Sequence, residues 1–162
     1  MKVLVTGGTG LVGEETVRRL LDKGIEVRLL TRNAERDAAK LGPGCEPSQG
    51  SVQHQKDVEG AAEGCEAVLH IAGIVREEPP DHTFAAVNVG GTRHLLDEAE
   101  RAGVRRFLYV SSLGADTGTS DYHRSKLDAE NLVRTFSRDW LICRPGGVYG
   151  PGDETISVLL GM

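Results

Sequence analysis

The chain predicts an α/β fold: a doubly wound parallel sheet in strand order 3-2-1-4-5-6 with helices on both faces. Three observations predict it. Short apolar runs alternate with segments of helical period along a chain of 162 residues. The first and fourth runs are continuously apolar, as strands buried on both faces must be. The first also runs straight into glycines at positions 7, 10 and 13 that open a helix, a spacing that suits a tight strand-turn-helix junction.

Val3 to Val5 form the first strand, and Val17, Leu20 and Leu21 recur at helical spacing behind it until Gly24 closes the helix. Residues 26–31, Glu-Val-Arg-Leu-Leu-Thr, make a second strand, after which Asn33 can cap a short helix through Leu41. From Gly42 to Gly50 the signal weakens. Pro43, Gly44 and Pro47 oppose a central strand, so an irregular stretch or at best an edge strand is expected. Residues 52–63 read as a short helix ended by Gly64, and Ala67 to Ala72 as a buried strand ended by Gly73. Beyond a charged, proline-bearing loop around Glu77 to Pro80, Phe84, Val87, Leu95, Leu96 and Ala99 mark a long helical segment stopped by Gly103. Phe107 to Val110 are the fifth strand and lead into Ser111 and Ser112. Tyr122, Lys126, Leu132, Val133 and Phe136 then carry helical spacing, and Trp140 to Cys143 form the sixth strand.

The glycine turn points to a phosphate. A side chain at Gly7 or Gly10 would obstruct the bend or hold the backbone away from a pyrophosphate, while Gly13 lets the helix pack on its strand. The helix N-terminus then offers free N–H groups and a positive dipole end to an anion. Spaced glycines also mark ordinary turns, but here a strand precedes and a helix follows. Gly7, Thr9, Gly10, Leu11, Val12 and Gly13 are therefore candidate cofactor contacts. Bulk properties agree. The length is that of one domain, 39% of residues are hydrophobic, the formal charge is −5 and the pI is near 5.5. That balance argues against nucleic acid or an anionic membrane surface, which need a basic face, and for a small-molecule partner. No apolar run approaches a membrane span and the N-terminus enters a strand without a signal-peptide pattern, so a cytoplasmic location is expected. Cys45, Cys65 and Cys143 are odd in number and lack C-x-x-C spacing, which suggests neither a disulfide framework nor a zinc site. His70, ending the fourth strand, reads as a satisfied, partly buried histidine, since no second ligand has compatible spacing; no metal is expected.

In a sheet of this kind the end of the second strand faces the adenosine ribose, where a carboxylate would accept from both hydroxyls and favour NAD. Here Thr31 is followed by Arg32. A guanidinium can pair with a 2′-phosphate and stack on adenine, so NADP is expected, with NAD the alternative if Arg32 is only a solvated charge. Tyr122 and Lys126, four apart near the start of the helix after the fifth strand, share one face. A free tyrosine has a pKa of about 10, but a nearby ammonium and a positively charged nicotinamide both favour its phenolate. Tyr122 could then move a proton to or from a carbonyl or hydroxyl oxygen, while Lys126 also holds the nicotinamide ribose. Ser112, at the C-terminal end of the fifth strand, could orient the same oxygen. Tyr-x-x-x-Lys alone is an ordinary surface pair, and its position behind the serine and the glycine turn is what gives it weight.

Val5-Thr-Gly-Gly-Thr-Gly-Leu-Val-Gly13, His70-Ile-Ala-Gly73, Asn88-Val-Gly-Gly-Thr92, Tyr109-Val-Ser-Ser112, Tyr122-His-Arg-Ser-Lys126 and Arg144-Pro-Gly-Gly-Val-Tyr-Gly-Pro-Gly152 together resemble the extended and atypical short-chain dehydrogenase/reductase superfamily. The resemblance is to its NAD(P)-dependent epimerase/dehydratase type and runs from residue 1 to about 154. It implies a Rossmann fold, catalytic roles for Ser112, Tyr122 and Lys126, and cofactor contacts from the glycine turn, Ala72, Gly73, Lys126, Pro145 and Val148; Arg32, with Ser51 and Val52, completes the candidate cofactor site. It implies hydride exchange between a nicotinamide cofactor and a sugar nucleotide or other small carbonyl or hydroxyl substrate. Some members of the atypical branch bind cofactor without turnover, so a redox sensor or assembly module is the alternative. Asn88 matches a family asparagine and reads equally as a helix-internal structural hydrogen bond. Ser51 stands where the family usually has an aspartate contacting adenine, and Pro47 where the third strand should run. The segment from Ser112 to Tyr122 is shorter than in typical sugar epimerases, closer to the atypical branch. The oligomeric state is left open, a homodimer being one alternative because helices beside the fourth and fifth strands often pair in the family. Residues 1–154 would form the NAD(P)-binding domain and 155–162 the start of a C-terminal substrate lobe whose remainder is missing. Nucleotide binding with weak or no turnover is therefore expected of these 162 residues.

Overall fold

A computed structural model of the chain describes residues 1–150; the boundary at 154 and the expected start of a further lobe over 155–162 lie outside them. In chain order the elements are β1 (Lys2–Thr6), α1 (Leu11–Asp22), β2 (Glu26–Thr31), α2 (Ala34–Leu41), β3 (Cys45–Gln49), α3 (Gln55–Val58) and β4 (Ala67–His70). A six-residue π-helical stretch, Ala85–Gly90, then runs directly into α4 (Gly91–Arg101), followed by β5 (Arg106–Val110), α5 (Asp121–Val133) and β6 (Asp139–Cys143). The strands form one parallel sheet in the order β3-β2-β1-β4-β5-β6, the predicted Rossmann topology. Strand order reverses between β1 and β4, and there the crevice for a ligand opens at the carboxyl ends.

Alternation along β1 divides the core. Val3 and Val5 pack with Val17 of α1 and Val27 and Leu29 of β2, whereas Leu4 packs on the opposite face with Leu30, Val68, Leu95 of α4 and Val133 of α5. A one-residue slip would exchange these two sets, so the burial of both faces fixes the register. The edge strand β3 runs through Pro47. Val27 N–H donates to Gly44 C=O and Gly50 N–H to Thr31 C=O, so even-numbered residues face β2 and the proline nitrogen points off the free edge, where no ladder bond is lost.

Four local expectations are corrected. The 52–63 helix shrinks to Gln55–Val58, with Gly60 in a left-handed turn at φ +81° just beyond it. Asn33 stands at the N-cap of α2 without a side-chain cap bond. Gln49, arriving from β3, serves that end instead: its amide oxygen accepts from Ala34 N–H at 3.1 Å and its amide nitrogen donates to Arg32 C=O at 2.6 Å. The fourth strand stops at His70, though Ile71 N–H still reaches Thr6 C=O at 3.1 Å. α5 ends at Val133, and Phe136 packs beyond it against Phe107 with ring centroids 5.7 Å apart. Among the described residues no helix is long and apolar enough to cross a membrane, and no cluster of His, Cys, Asp and Glu could hold a metal ion.

Candidate active site

Gly7 turns the chain out of β1 at φ +71°, and a Cβ there would lie 2.5 Å from the Ala72 backbone nitrogen. At Gly13 a Cβ would collide with the carbonyl of Gly7, so α1 leaves the turn in contact with its backbone. Gly10 is different: the nearest atom to a Cβ there is 3.6 Å away, and the space before it is open. The first bond of α1 is from Glu14 N–H to Gly10 C=O at 2.8 Å, which leaves the N–H groups of Leu11, Val12 and Gly13 ahead of it at the positive end of the helix. This cradle fits a diphosphate in shape and in charge.

The cradle opens into a groove of about 520 Å³ lined by Gly7, Thr9, Gly10, Leu11, Val12 and Gly13, and by Arg32, Ser51, Val52, Ala72 and Gly73. Pro145 and Val148 line a second cavity, of about 870 Å³, which shares Thr9 to Val12 with the first. Arg32 is exposed at the β2 end. Next to it, Asp37 is buried, accepts from Thr31 Oγ1 at 2.8 Å and pairs with Arg36 at 2.9 Å. Ser51 donates its N–H to Asp57 Oδ2 at 3.1 Å, so a carboxylate supplied by α3 steadies the segment beside the groove.

Ser112, Tyr122 and Lys126 line neither cavity, but Lys126 reaches the groove's other end. Its Nζ lies 3.6 Å from the point where a Gly73 Cβ would stand, donates to Val110 C=O at 2.8 Å and sits 4.4 Å from the centre of the Tyr109 ring. The side chain is 4% exposed, and burial pulls its pKa down to about 8 against the opposing charge of Glu130. Tyr122, half-buried one turn earlier, packs its ring on Phe84 and His123 at centroid distances of 5.9 and 5.4 Å. Ser112 is half-buried just beyond β5, and its C=O accepts from Ala115 N–H at 3.0 Å.

Asn88, in the π-helical stretch, bonds outward rather than within its helix. Its Oδ1 accepts from Ile74 N–H at 2.9 Å, while Nδ2 donates to Ile74 C=O at 3.1 Å and to Ser125 Oγ at 2.9 Å. It thereby ties the loop after β4 to α5. His70 is fully buried, not partly, and satisfied on both nitrogens. Thr92 Oγ1 donates to Asn88 C=O at 2.6 Å and so accepts from His70 Nε2 at 3.0 Å; Nδ1 then accepts from Thr6 Oγ1 at 2.8 Å. Thr6 Oγ1 in turn accepts the Ala72 N–H at 3.4 Å. Burial, with Lys126 nearby, lowers the His70 pKa to about 3 and keeps the ring neutral.

One charged junction carries no motif of its own in the sequence. Glu130 is fully buried one turn beyond Lys126, where Arg144 grips it with Nε on Oε1 and a terminal nitrogen on Oε2, both at 2.7 Å. Arg134 adds a third bond to Glu130 at 2.8 Å, and the remaining nitrogen of Arg144 pairs with Asp116. Burial would raise the Glu130 pKa, but the arginines outweigh it and hold the carboxylate at about 2. The available signal was the i,i+4 run Tyr122, Lys126, Glu130 on a face the fold must bury.

A parallel sheet with a diphosphate cradle at its first turn, a basic residue at the end of β2 and a buried lysine at the far end of the groove defines a dinucleotide-binding protein. The family model described as NAD(P)H-binding matches residues 7–160. The chain belongs to that family and, with it, to the short-chain dehydrogenase/reductase superfamily, whose cofactors are nicotinamide dinucleotides. It is 35% identical over 175 residues to sterol demethylase protein B of Methylococcus capsulatus, covering 94% of this chain and 53% of that protein. It is 34% identical over 184 residues to a 3 beta-hydroxysteroid dehydrogenase/Delta 5→4-isomerase of Mycobacterium tuberculosis, covering 96% and 49%. A short-chain dehydrogenase/reductase superfamily protein of Agrobacterium tumefaciens solved with bound NAD superposes with a TM-score of 0.74 at 33% identity, covering 89% of this chain and 48% of that one. The chain spans about half the length of the curated relatives it matches.

Proposed function

We propose that this chain is the cofactor-binding half of an NAD(P)-dependent oxidoreductase acting on a carbon that bears a hydroxyl or carbonyl oxygen, in a cytoplasmic setting. The observation that carries the reading is the groove that runs from the open cradle at Gly10 to Gly73, with the Lys126 ammonium lying close behind Gly73. The adenosine half occupies the β2 and β3 side, against Arg32, Ser51 and Val52, and the nicotinamide half the β4 to β6 side, since a dinucleotide straddles the crevice where strand order reverses. Arg32 receives a 2′-phosphate, so NADP is the preferred cofactor and NAD the weaker one. When bound, the nicotinamide supplies the hydride donor or acceptor. Lys126 holds the neighbouring ribose and keeps positive charge beside Tyr122. Tyr122 gives or takes the proton at the substrate oxygen, which Ser112 orients.

The names of the two curated relatives, a sterol demethylase component and a hydroxysteroid dehydrogenase, favour an apolar ketone or secondary alcohol over a sugar nucleotide. Val75 in the groove and Leu113 next to Ser112, 77% and 65% exposed, offer apolar surface to such a substrate. Fluorescence titration with NADPH and NADH tests the cofactor half of the reading. Saturable binding is expected, roughly tenfold tighter for NADPH, and binding of neither dinucleotide overturns it. In the full-length natural polypeptide, Tyr122→Phe should lower kcat by about 100-fold or more while leaving NADPH affinity within about twofold. Unchanged turnover would discard the role of Tyr122.

A further inference from the structure

Resting on that dinucleotide-binding reading, we propose that Arg144 is a positioning residue: it fixes the nicotinamide end of the groove by tying the three elements that frame it to one buried carboxylate, Glu130. One arm is the helix of Lys126, since Glu130 follows one turn later in α5 and both side chains are buried. The second is the segment between Ser112 and Tyr122, held through Asp116. The third is the chain leaving β6, for Arg144 directly precedes Pro145, whose C=O accepts Leu113 N–H at 3.0 Å, while Cys143 C=O accepts Ser111 N–H at 2.7 Å. A guanidinium suits this task because its donors lie in a rigid plane, so two bonds to Glu130 fix an orientation as well as a distance. A buried ion pair is weak evidence for added stability, which makes geometry the better account of its placement. The adenosine pocket shares none of these residues: Arg32 and Ser51 belong to the other half of the sheet, and only Pro145, next to Arg144, meets the glycine turn, in the cavity it lines with Thr9 to Val12.

That separation gives a readout which a merely structural role would not move. Arg144→Lys keeps the charge but cannot form the fork. Its affinity for NADPH is expected to fall at least tenfold, and its affinity for the fragment 2′,5′-ADP to stay within about twofold, with a cooperative thermal melt retained. Asp116→Ala cuts one arm only and should weaken NADPH in the same direction by less, which keeps the idea testable should Arg144→Lys fail to fold. Parallel weakening of dinucleotide and fragment would reduce Arg144 to a structural residue, and unchanged NADPH affinity would overturn the proposal outright. Wild-type protein that prefers NADH is compared with NADH and 5′-ADP instead. A wild type that binds neither dinucleotide defeats the underlying reading, an outcome distinct from any change between variants.

Discussion

Replacing Lys126 with Met tests the electrostatics on which the proposed chemistry rests. The ammonium is 4% exposed, and burial, partly countered by Glu130, holds its pKa at about 8 against an ordinary 10.5. The folded protein therefore releases this proton from about pH 8, whereas the unfolded chain keeps it to about 10.5. Unfolding takes up a proton in that window, so the wild type gains stability as the pH rises through it, and the penalty of burying the charge is felt in full below pH 8. The gap between the two values, at about 1.4 kcal/mol per pH unit, is worth about 3 kcal/mol. Met has a similar length and no charge to bury, so the variant lacks this slope. Urea denaturation of both proteins at pH 7, 8.5 and 10 should show their stability difference moving by about 2–3 kcal/mol in favour of the wild type. Of the groups facing Lys126, His70 is already neutral, Glu130 is ionised and burial pushes the Tyr109 phenol well above its usual range. A difference that stays flat from pH 7 to 10 would refute the argument.

Three further outcomes are expected. Gly13→Ala forces a methyl into the Gly7 carbonyl and should lower the melting temperature in step with a loss of about 2 kcal/mol or more, whereas Gly10→Ala has room, should melt within about 1 kcal/mol of wild type and yet lose at least tenfold in NADPH affinity. A Gly10→Ala protein that titrates with NADPH like wild type would show that the cradle is not the phosphate site. Arg32→Glu should weaken NADPH roughly 10- to 100-fold and NADH by less than about threefold, the loss expected of one charge-assisted bond; equal effects on both dinucleotides would mark Arg32 as a bystander. The His70 pKa lies at about 3 when folded against 6.5 when free, so the stability its neutral ring supports is complete above pH 6.5 and is lost as the pH falls toward 3. Between pH 6.5 and 5 the wild type should lose about 2 kcal/mol more than His70→Gln in parallel denaturation curves, and matching curves would contradict the assignment.

The two ends of the groove were not equally legible in the sequence, for a physical reason. The adenosine and phosphate end is built from backbone, where a Cβ is forbidden at Gly7 and Gly13, and such constraints leave fixed spacings over a few residues. The edge strand through Pro47 was the weak point there, because only the register shows that its nitrogen faces outward. At the nicotinamide end the geometry comes from contacts between residues distant in sequence. Asn88 reaches Ile74 and Ser125, His70 reaches Thr6 and Thr92, and Arg144 reaches Glu130 and Asp116. A sequence displays both members of each pair and nothing to say that they meet. What it does display at Glu130 is a carboxylate on the helix face that carries Lys126, and a charge on a buried face requires a cation from elsewhere in the chain. Arg134, one turn on in the same helix, meets part of that requirement, and Arg144, where the chain leaves β6, meets the rest, a partner that only the packing of α5 against β5 and β6 brings into reach. The same logic separates the two kinds of test above. Substitutions in the glycine turn should act on phosphate binding locally, whereas substitutions at Arg144 or Glu130 should act at a distance, through the elements they hold together.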